Sequence, residues 1–92
     1  MRPSRNQELI DALAIEIKAR RLELNYSQED LAGHCELDRP FISLIEVGKK
    51  QPTVSVLYRI SVALDLSFEE FAHRIERRYK RTARTRSRAA PG

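Results

Sequence analysis

Two short helix patterns in residues 27–48, separated by a tight break, constrain the fold more than any other part of the chain. The first pattern follows Ser27, a good N-cap residue, with Asp30 in the capping-partner position, where Glu or Gln fits better. The second follows Asp38, which we predict as its N-cap, with Pro40 in the first turn, where a missing N–H costs little. Two helices of about two turns each, joined by three or four residues, form a helix-turn-helix unit.

The sequence around this unit predicts three more helices. Apolar residues from about residue 6 to residue 24 recur at i, i+3, i+4 and i+7, the spacing of a helix with one buried side. Thr53 is placed to cap a fourth helix, from which Val54 is expected to face inward, and Ser67 opens a capping box before a fifth. We therefore predict an all-α, compact five-helix domain over residues 6–80, with the helix-turn-helix at its centre.

Three runs of residues carry a resemblance to a known family. They are SQEDLA at residues 27–32, LDRPFIS at 37–43 and IEVGK at 45–49, followed by a Pro-Thr pair at 52–53. Over about residues 9–73 the chain resembles the phage-repressor type of helix-turn-helix, the Xre-like family, and the second run is similar to controller proteins of restriction–modification systems. The resemblance implies a phage-repressor-like fold whose recognition helix, about residues 38–47, lies in the major groove of DNA. Glu36 stands in the turn where this family usually has glycine or another residue that tolerates positive φ.

The recognition helix carries the candidate base contacts. An α-helix fits the major groove, and residues near its N-terminal end reach the base edges; on this spacing they are Arg39, Pro40, Ser43 and Leu44. Arg39 is the first candidate, because a guanidinium can donate two hydrogen bonds to guanine, worth about 1–3 kcal/mol of discrimination. The alternative is that Arg39 pairs with a neighbouring carboxylate and contacts only phosphate. Pro40 and Leu44 offer only apolar contacts, whereas the family often has polar side chains at these positions. We therefore expect fewer direct hydrogen bonds to bases and a larger contribution from DNA shape.

Phosphate contacts are expected on both sides of the recognition helix. The candidates are Ser27, Gln28, Phe41, Lys49, Lys50 and Thr53. Backbone N–H groups at the start of the first motif helix lie at a positive helix end, where phosphate binds readily. In the family, the glutamine at this helix start also braces the recognition helix, and Glu46 pairs with an arginine of the first helix, here Arg20 or Arg21. Alternatively, the lysines are solvated charges and Phe41 packs against the body.

The fifth helix predicts self-association. Its apolar stripe continues past what a five-helix core needs, to Ile75 and Tyr79, and an apolar stripe without a partner indicates an interface. We predict a homodimer built from the fourth and fifth helices, which binds a near-palindromic double-stranded DNA operator with half-sites about one helical turn apart. The alternative is that this stripe closes on its own domain.

Positive charge is concentrated towards the C-terminal end. Residues 74–88 carry eight basic side chains and one acidic side chain, whereas residues 1–73 carry nine and twelve, so the formal charge of +4 divides into +7 and −3. The body is therefore not a general nucleic-acid binder, and its affinity for DNA must come from a local patch. Residues 81–92 lack apolar periodicity and are predicted to form a disordered basic tail, which either adds salt-dependent DNA affinity or only keeps the protein soluble.

Composition and spacing argue against several other classes. The lone cysteine, Cys35, follows His34, and neighbouring helical residues point about 100° apart, which suits no zinc site. No glycine-rich phosphate loop and no obviously converging pair of carboxylates occurs, so we expect no catalytic site, no metal and no cofactor. The sequence has no apolar run of about 18 residues and no signal peptide, so we expect no membrane contact and a cytoplasmic location.

The sequence therefore predicts a transcriptional regulator that binds a specific double-stranded DNA site. Two alternatives keep the same fold. A helix-turn-helix domain can act as a protein-binding adaptor, with Phe41 and Leu44 in an apolar patch, and the acidic body suits that function. An antitoxin of a toxin–antitoxin pair would combine DNA binding with a toxin-binding tail.

Overall fold

The computed structural model describes residues 5–89, with side chains over residues 5–82. Five helices follow one another and no strand occurs in that part of the chain: α1 (Gln7–Glu23), α2 (Gln28–Cys35), α3 (Arg39–Glu46), α4 (Val54–Ala63) and α5 (Phe68–Ala89). The predicted all-α, five-helix fold is confirmed. Within these limits no helix has the length and apolar character needed to cross a membrane.

Capping side chains set where several helices begin. The Asn6 side chain accepts from the Leu9 N–H at 3.1 Å and starts α1. At α2 the capping box is complete: the Ser27 hydroxyl accepts from the Asp30 N–H at 3.0 Å, and the Asp30 carboxylate accepts from the Ser27 N–H at 2.8 Å. Aspartate is therefore long enough to close this box, although Glu or Gln is more common there. Thr53 caps α4 as predicted.

Asp38 is the N-cap residue of α3, as predicted. It lies at the N-cap of α3 with an extended backbone, but its side chain makes no capping hydrogen bond. The cause lies two and three residues further on: Pro40 has no N–H to offer, and the N–H of Phe41 donates to the Asp38 carbonyl at 3.1 Å. The helix thus begins where it was expected, with Asp38 at its N-cap but without a hydrogen bond from the Asp38 side chain.

The core lies where the five helices meet. Each helix contributes at least one fully buried side chain, and they include Ile17, Leu31, Ile42, Ile45, Ile60 and Phe71. Burying an apolar side chain of this size stabilises the fold by roughly 1.5–3 kcal/mol relative to leaving it exposed. Val54, expected to face inward, is 71 % exposed, because it starts α4 on the side that carries Tyr58 rather than the buried Ile60.

Helix α5 packs antiparallel on α1, since its later residues contact earlier residues of α1. Glu16 of α1 is 4 % exposed and accepts hydrogen bonds from Arg74 at 3.4 Å and from Arg78 at 2.6 Å. Further along, the Tyr79 hydroxyl accepts from the Asn6 side chain at 3.0 Å. Helix α5 therefore packs along α1 as far as the N-terminal end of that helix.

Helix α5 then continues to Ala89. Residues 81–89 are helical, which differs from the predicted disordered tail, and the rest of that tail, residues 90–92, lies outside the described residues. A lack of apolar periodicity removes a packing face but not helix propensity. Arginine and alanine favour helices, and a helix already anchored on α1 adds one backbone hydrogen bond for each further residue.

Candidate nucleic-acid interface

The turn between α2 and α3 depends on one residue with a left-handed backbone. Glu36 has φ +59°, a conformation that costs roughly 1–2 kcal/mol for a residue with a side chain. Arg59 of α4 offsets part of that cost, because its guanidinium donates to the carbonyl oxygens of Cys35 and Glu36, the latter at 3.0 Å. The sequence indicated the unusual backbone at Glu36 but not the arginine that holds the turn.

Helix α3 is fixed from behind by a buried ion pair. Arg21 of α1 donates to both carboxylate oxygens of Glu46, at 2.7 and 2.9 Å, and to the Tyr26 carbonyl at 2.8 Å. Gln28 donates to the same carboxylate at 3.1 Å. The hydrogen bonds that Glu46 accepts raise the pKa of Arg21 above its ordinary value. Of the two arginines expected to pair with Glu46, Arg21 therefore does so, and the expected bracing glutamine is in place.

The opposite side of α3 is open. It carries the four candidate base-contacting residues: Arg39, Pro40 and Leu44, which are exposed, and Ser43, which is half-buried. Val47, which the sequence did not single out, joins them at 61 % exposed. Helical spacing places all five away from the buried side of α3. The face combines one guanidinium, one hydroxyl and three apolar side chains, so it offers few hydrogen-bonding groups.

One flank of this face is the start of α2. The Ser27 N–H already donates to the Asp30 carboxylate, and this hydrogen bond is the largest cause of the lowered pKa of Asp30. Because a carboxylate occupies that N–H, and the Asp30 N–H donates to the Ser27 hydroxyl, a phosphate at this helix end would be met by the N–H groups of Gln28 and Glu29. Gln28 is half-buried, with its side-chain amide turned towards Glu46.

The other flank is the loop of residues 49–53, between α3 and α4. Lys49, Lys50 and Thr53 are exposed there. The Lys50 ammonium lies 5.5 Å from the centroid of the Phe41 ring, a cation–π contact worth roughly 0.5–1 kcal/mol at an exposed site. Phe41 itself is half-buried against the core. The candidate phosphate contacts thus lie on both sides of α3.

The N-terminal end of α1 is hydrogen-bonded to the residue that precedes this loop. Arg5 and Gln7 donate to the Gly48 carbonyl at 3.4 and 2.9 Å. Gly48 has φ +76°, and a Cβ atom there would lie 2.5 Å from the Asp11 carboxylate, so both the backbone and the available space require glycine. The end of α3 is therefore tied to the N-terminus of α1.

An apolar surface crosses α4 and α5, and the sequence predicted only its edge. Val54, Tyr58 and Val62 recur at i, i+4 and i+8 along α4 and are each more than half exposed. The Tyr58 ring lies 5.7 Å from the Phe68 ring of α5, while Val54 lines a groove of about 520 Å³ together with Ala72, Ile75 and Tyr79. These seven residues are called the apolar α4–α5 face below. Their i, i+4, i+8 spacing on α4 was the signal that could have revealed it.

The two candidate dimer residues lie at the less exposed end of this face. Ile75 and Tyr79 are half-buried, Ile75 packs against the core, and the Tyr79 hydroxyl is hydrogen-bonded to Asn6. Part of the predicted stripe thus closes on its own domain. Tyr58 and Val62, at the other end of the face, are more exposed than Ile75 and Tyr79.

Cys35 and His34 have separate surroundings. Cys35 is 2 % exposed, and burial raises the pKa of its thiol to about 11. The His34 ring is exposed and packs against Tyr26 with 4.8 Å between ring centroids. At neutral pH Cys35 is therefore a protonated core residue rather than a nucleophile.

Residues 17–71, which hold the two motif helices and most of the core, match the family model described as helix-turn-helix. The chain belongs to this helix-turn-helix family. The control protein C.MunI of a Mycoplasma species is 35 % identical over 60 residues, which cover 65 % of this chain and 81 % of that protein. The resemblance to the Xre-like family and to restriction–modification controller proteins is therefore confirmed.

Solved structures agree with this assignment. The wild-type restriction–modification controller protein C.Esp1396I is 34 % identical with a TM-score of 0.72, covering 76 % of this chain and 92 % of its own. The tetramer of C.Esp1396I in complex with its natural 35 base-pair operator gives a TM-score of 0.73 at 34 % identity, covering 77 % and 93 %. ClgR, the clp gene regulator of Corynebacterium glutamicum, covers 95 % of this chain and 90 % of its own with a TM-score of 0.81. It is 20 % identical, so this likeness concerns the fold alone.

Proposed function

We propose that this helix-turn-helix protein is a cytoplasmic transcriptional regulator that binds a specific double-stranded DNA site as a homodimer. The observation that carries the proposal is the exposed face of α3, which the Arg21–Glu46 pair holds rigidly from behind. A protruding helix whose orientation is fixed by buried hydrogen bonds suits the major groove, because base readout needs side chains held in one register.

The residues of this face divide into two roles. Arg39 donates to a guanine, Ser43 adds one hydrogen bond, and Pro40, Leu44 and Val47 pack against thymine methyl groups. Such a face makes few direct hydrogen bonds, so DNA shape and deformability carry the rest of the specificity. The flanks position the protein: Gln28 and the neighbouring amides on one side, and Lys49, Lys50 and Thr53 on the other, bind phosphates without reading sequence.

The relatives support the choice of ligand. C.Esp1396I, at 34 % identity, has been crystallised as a tetramer with its operator DNA and also with a 19 base-pair duplex. The match covers more than nine-tenths of that controller protein, so the shared part is the whole DNA-binding domain rather than a fragment. By extension, this chain binds an operator, and self-association is part of how it does so.

The apolar α4–α5 face forms the homodimer contact. Two copies related by a two-fold axis would bury Tyr58, Val62 and Phe68 against the same residues of the second copy, the self-complementary arrangement of most dimers. A two-fold dimer presents two copies of α3 and therefore reads a near-palindromic site. Val62→Asp places a charge in this contact and should give monomers by sedimentation at concentrations where the wild-type protein is dimeric.

The decisive experiment is a binding titration with a site obtained from the protein itself. Duplexes would be selected from a random-sequence library by the wild-type protein, and the affinity of Arg39→Ala for the selected site would then be measured. We expect a loss of about 1–3 kcal/mol, roughly 5- to 150-fold, with relaxed preference at one base position. Lys18→Ala, which removes an exposed cation of α1, is the matched control and should leave the affinity unchanged.

An outcome in which Arg39→Ala and Lys18→Ala behave alike, or in which no sequence is enriched, would rule out direct readout by α3. The adaptor function would then be preferred, because Leu44 and Val47 expose apolar surface on this same face. Leu44→Ala separates the two functions: it weakens DNA binding less than Arg39→Ala does if Arg39 carries recognition, whereas it sharply weakens binding to a protein partner that packs on Leu44.

A further inference from the structure

Two neighbouring lysines follow α3 with similar backbone anchoring but different side-chain surroundings. The N–H groups of Lys49 and Lys50 both donate to the Leu44 carbonyl, at 3.0 and 3.2 Å. Both side chains are exposed, and no carboxylate among the described side chains forms an ion pair with either of them. The Lys50 ammonium lies 5.5 Å from the centroid of the Phe41 ring, a contact that Lys49 lacks within the described part of the chain. The two lysines therefore differ in how far their charge is held in place.

The Phe41 ring is itself held by the core, against which it packs half-buried. On α3 it is one turn away from both Leu44 and Ile45, at i+3 and i+4. Leu44 is 42 % exposed and belongs to the exposed face of α3, whereas Ile45 is 1 % exposed. The ring therefore lies at the boundary between the core and the exposed face, and a charge held over it lies beside that face.

The Lys50 side chain runs back along α3 instead of pointing away from its C-terminal end. Its N–H is bonded to the carbonyl of Leu44, and its ammonium lies over the ring of Phe41, three residues earlier. Three residues correspond to about 4.5 Å of helix, a distance that a four-carbon side chain spans. The charge is thus moved towards the half of α3 that carries Arg39, the first candidate for base contact.

We propose that Phe41 is a positioning residue, which holds Lys50 beside the exposed face of α3 so that its ammonium binds a DNA phosphate next to the bases that α3 contacts. The inference rests on the proposed function and assigns different roles to the two lysines. A phenyl ring has no hydrogen-bond donor for a phosphate, so Phe41 acts through Lys50. A lysine has three N–H donors, and the ring lies on one side of them only, so the others remain free for phosphate oxygens. A side chain held before binding also loses less conformational entropy on binding.

A lysine held in one place affects sequence readout as well as affinity. Phosphate contacts carry no sequence information themselves, but they set the orientation in which a protein meets the base edges. Because Lys50 is fixed beside the exposed face, its contact supports the register in which Arg39 reaches its base. Lys50→Gln should therefore narrow the difference in affinity between the selected duplex and a scrambled one, whereas Lys49→Gln should weaken binding to both alike.

A double-mutant cycle in the full-length protein tests the positioning role. Lys50→Gln and the matched control Lys49→Gln each remove one charge, and each would be measured with Phe41 intact and together with Phe41→Leu, which replaces the ring with an apolar side chain. On the selected duplex, we expect Lys50→Gln to reduce affinity roughly 2- to 5-fold more when the ring is present than when it is absent. Lys49→Gln should cost the same in both cases. Phe41→Tyr, which keeps the ring, should leave the cost of Lys50→Gln unchanged.

The wild-type protein provides a second measurement, which does not depend on how Phe41→Leu folds. The ring current of Phe41 shifts the NMR signals of the Lys50 side-chain protons next to the ammonium and leaves those of Lys49 unshifted. We expect this shift to remain when the selected duplex is added, because the ring and the phosphate contact different sides of the ammonium. Its loss on DNA binding would show that Lys50 leaves the ring to reach the phosphate, which overturns the positioning role.

The remaining outcomes of the cycle also overturn the inference. If Lys50→Gln costs the same with and without the ring, Phe41 only packs against the core; if it costs more without the ring, Phe41 withholds the lysine from DNA. In either case the proposed function stands as long as Arg39→Ala weakens specific binding. If the wild-type protein enriches no sequence from the library, the proposed function and the inference fail together. Thermal melting of each variant shows whether it is folded at the temperature of the titration.

Discussion

The two ion-pair clusters that join α1 to its neighbours differ in how far they exclude water. Between α1 and α3, the Arg21 and Glu46 side chains are 9 and 3 % exposed, and each makes a further hydrogen bond inside the protein. Between α1 and α5, Glu16 is buried, but the Arg74 and Arg78 side chains are 29 and 32 % exposed. In the first cluster, here called closed, both the arginine and the glutamate are shielded from water. In the second, here called open, only the glutamate is shielded, and its arginines remain partly exposed.

This difference determines how firmly each helix is held. A closed pair permits one orientation of α3, because any shift would leave a charge without a partner in a medium that cannot solvate it. An open cluster holds α5 on α1 while its arginines remain in contact with water. Helix α3 is therefore fixed, whereas α5 is positioned with a smaller penalty for movement.

The largest effect is expected from opening the closed pair. Arg21→Ala leaves the Glu46 carboxylate buried with only Gln28 as a donor, so we expect a loss of about 3–5 kcal/mol in the free energy of unfolding. Urea denaturation measures this loss. Arg21→Lys is the companion variant: it keeps the charge but not the two parallel hydrogen bonds, so it should lie between the wild type and Arg21→Ala. A loss below about 1 kcal/mol for Arg21→Ala would mean that this pair is no more closed than the Glu16 cluster.

A smaller effect is expected in the open cluster. Glu16→Gln removes the buried charge while Arg74 and Arg78 stay solvated, so we expect a loss of roughly 1–2 kcal/mol. The control is Glu76→Gln, which touches only the exposed pair with Lys80 and should cost less than about 0.5 kcal/mol. If Glu16→Gln destabilised the protein as much as Arg21→Ala, the contrast between the two clusters would disappear.

A gain in stability is expected at the turn between α2 and α3. Glu36→Gly relieves the left-handed backbone at φ +59° and should stabilise the fold by about 1 kcal/mol, a rise in Tm of several degrees. Glu36→Ala has the same strain as glutamate and should give no gain, which makes it the matched control. Equal melting temperatures for the glycine and alanine variants would show that the Arg59 hydrogen bonds, rather than the backbone strain, decide the stability of this turn.

The smallest effect is a pH dependence confined to the start of α2. The hydrogen bond from the Ser27 N–H lowers the pKa of Asp30 below its ordinary value of 3.8 in the folded state. The carboxylate therefore adds stability above about pH 4, which is lost as the pH falls through the lowered pKa. Asp30→Asn should therefore lower the melting temperature slightly at neutral pH, and its melting curves should converge with those of the wild type as the pH falls from about 5 to about 2. If the melting temperature of the variant fell with pH as steeply as that of the wild type, other carboxylates would account for the loss of stability in acid.

Local interactions made the positions of the helices predictable from the sequence. Ser27, Thr53 and the apolar spacing set helix positions correctly because capping and periodicity act within one or two turns. The pairing of Glu46 with an arginine came from the family resemblance, and the sequence left Arg20 and Arg21 as equal candidates. Only packing separates them: Arg21 reaches Glu46, while Arg20 donates to the Leu64 carbonyl.

One departure from expectation is local and the other depends on long-range packing. Asp38 does not cap with its side chain, since the N–H groups that it could use are missing or already taken. Val54 faces outward, and with Tyr58 it belongs to the apolar α4–α5 face, because which side of a helix is buried depends on the helices around it. The base and phosphate contacts assigned to α3 and its flanks stay predictions, although the structure gathers them on one surface.

The sequence by itself determined five helices, a central helix-turn-helix and the candidate face around Arg39, because each of these follows from spacing and capping over a few residues. Tertiary structure decided how the helices are joined: Arg21 to Glu46, Glu16 to Arg78, and Asn6 to Tyr79, over separations of 25 to 73 residues. It also decided that the basic C-terminal segment continues α5 as a helix to Ala89. Such pairings depend on which surfaces meet when the core closes, and no local pattern encodes that choice.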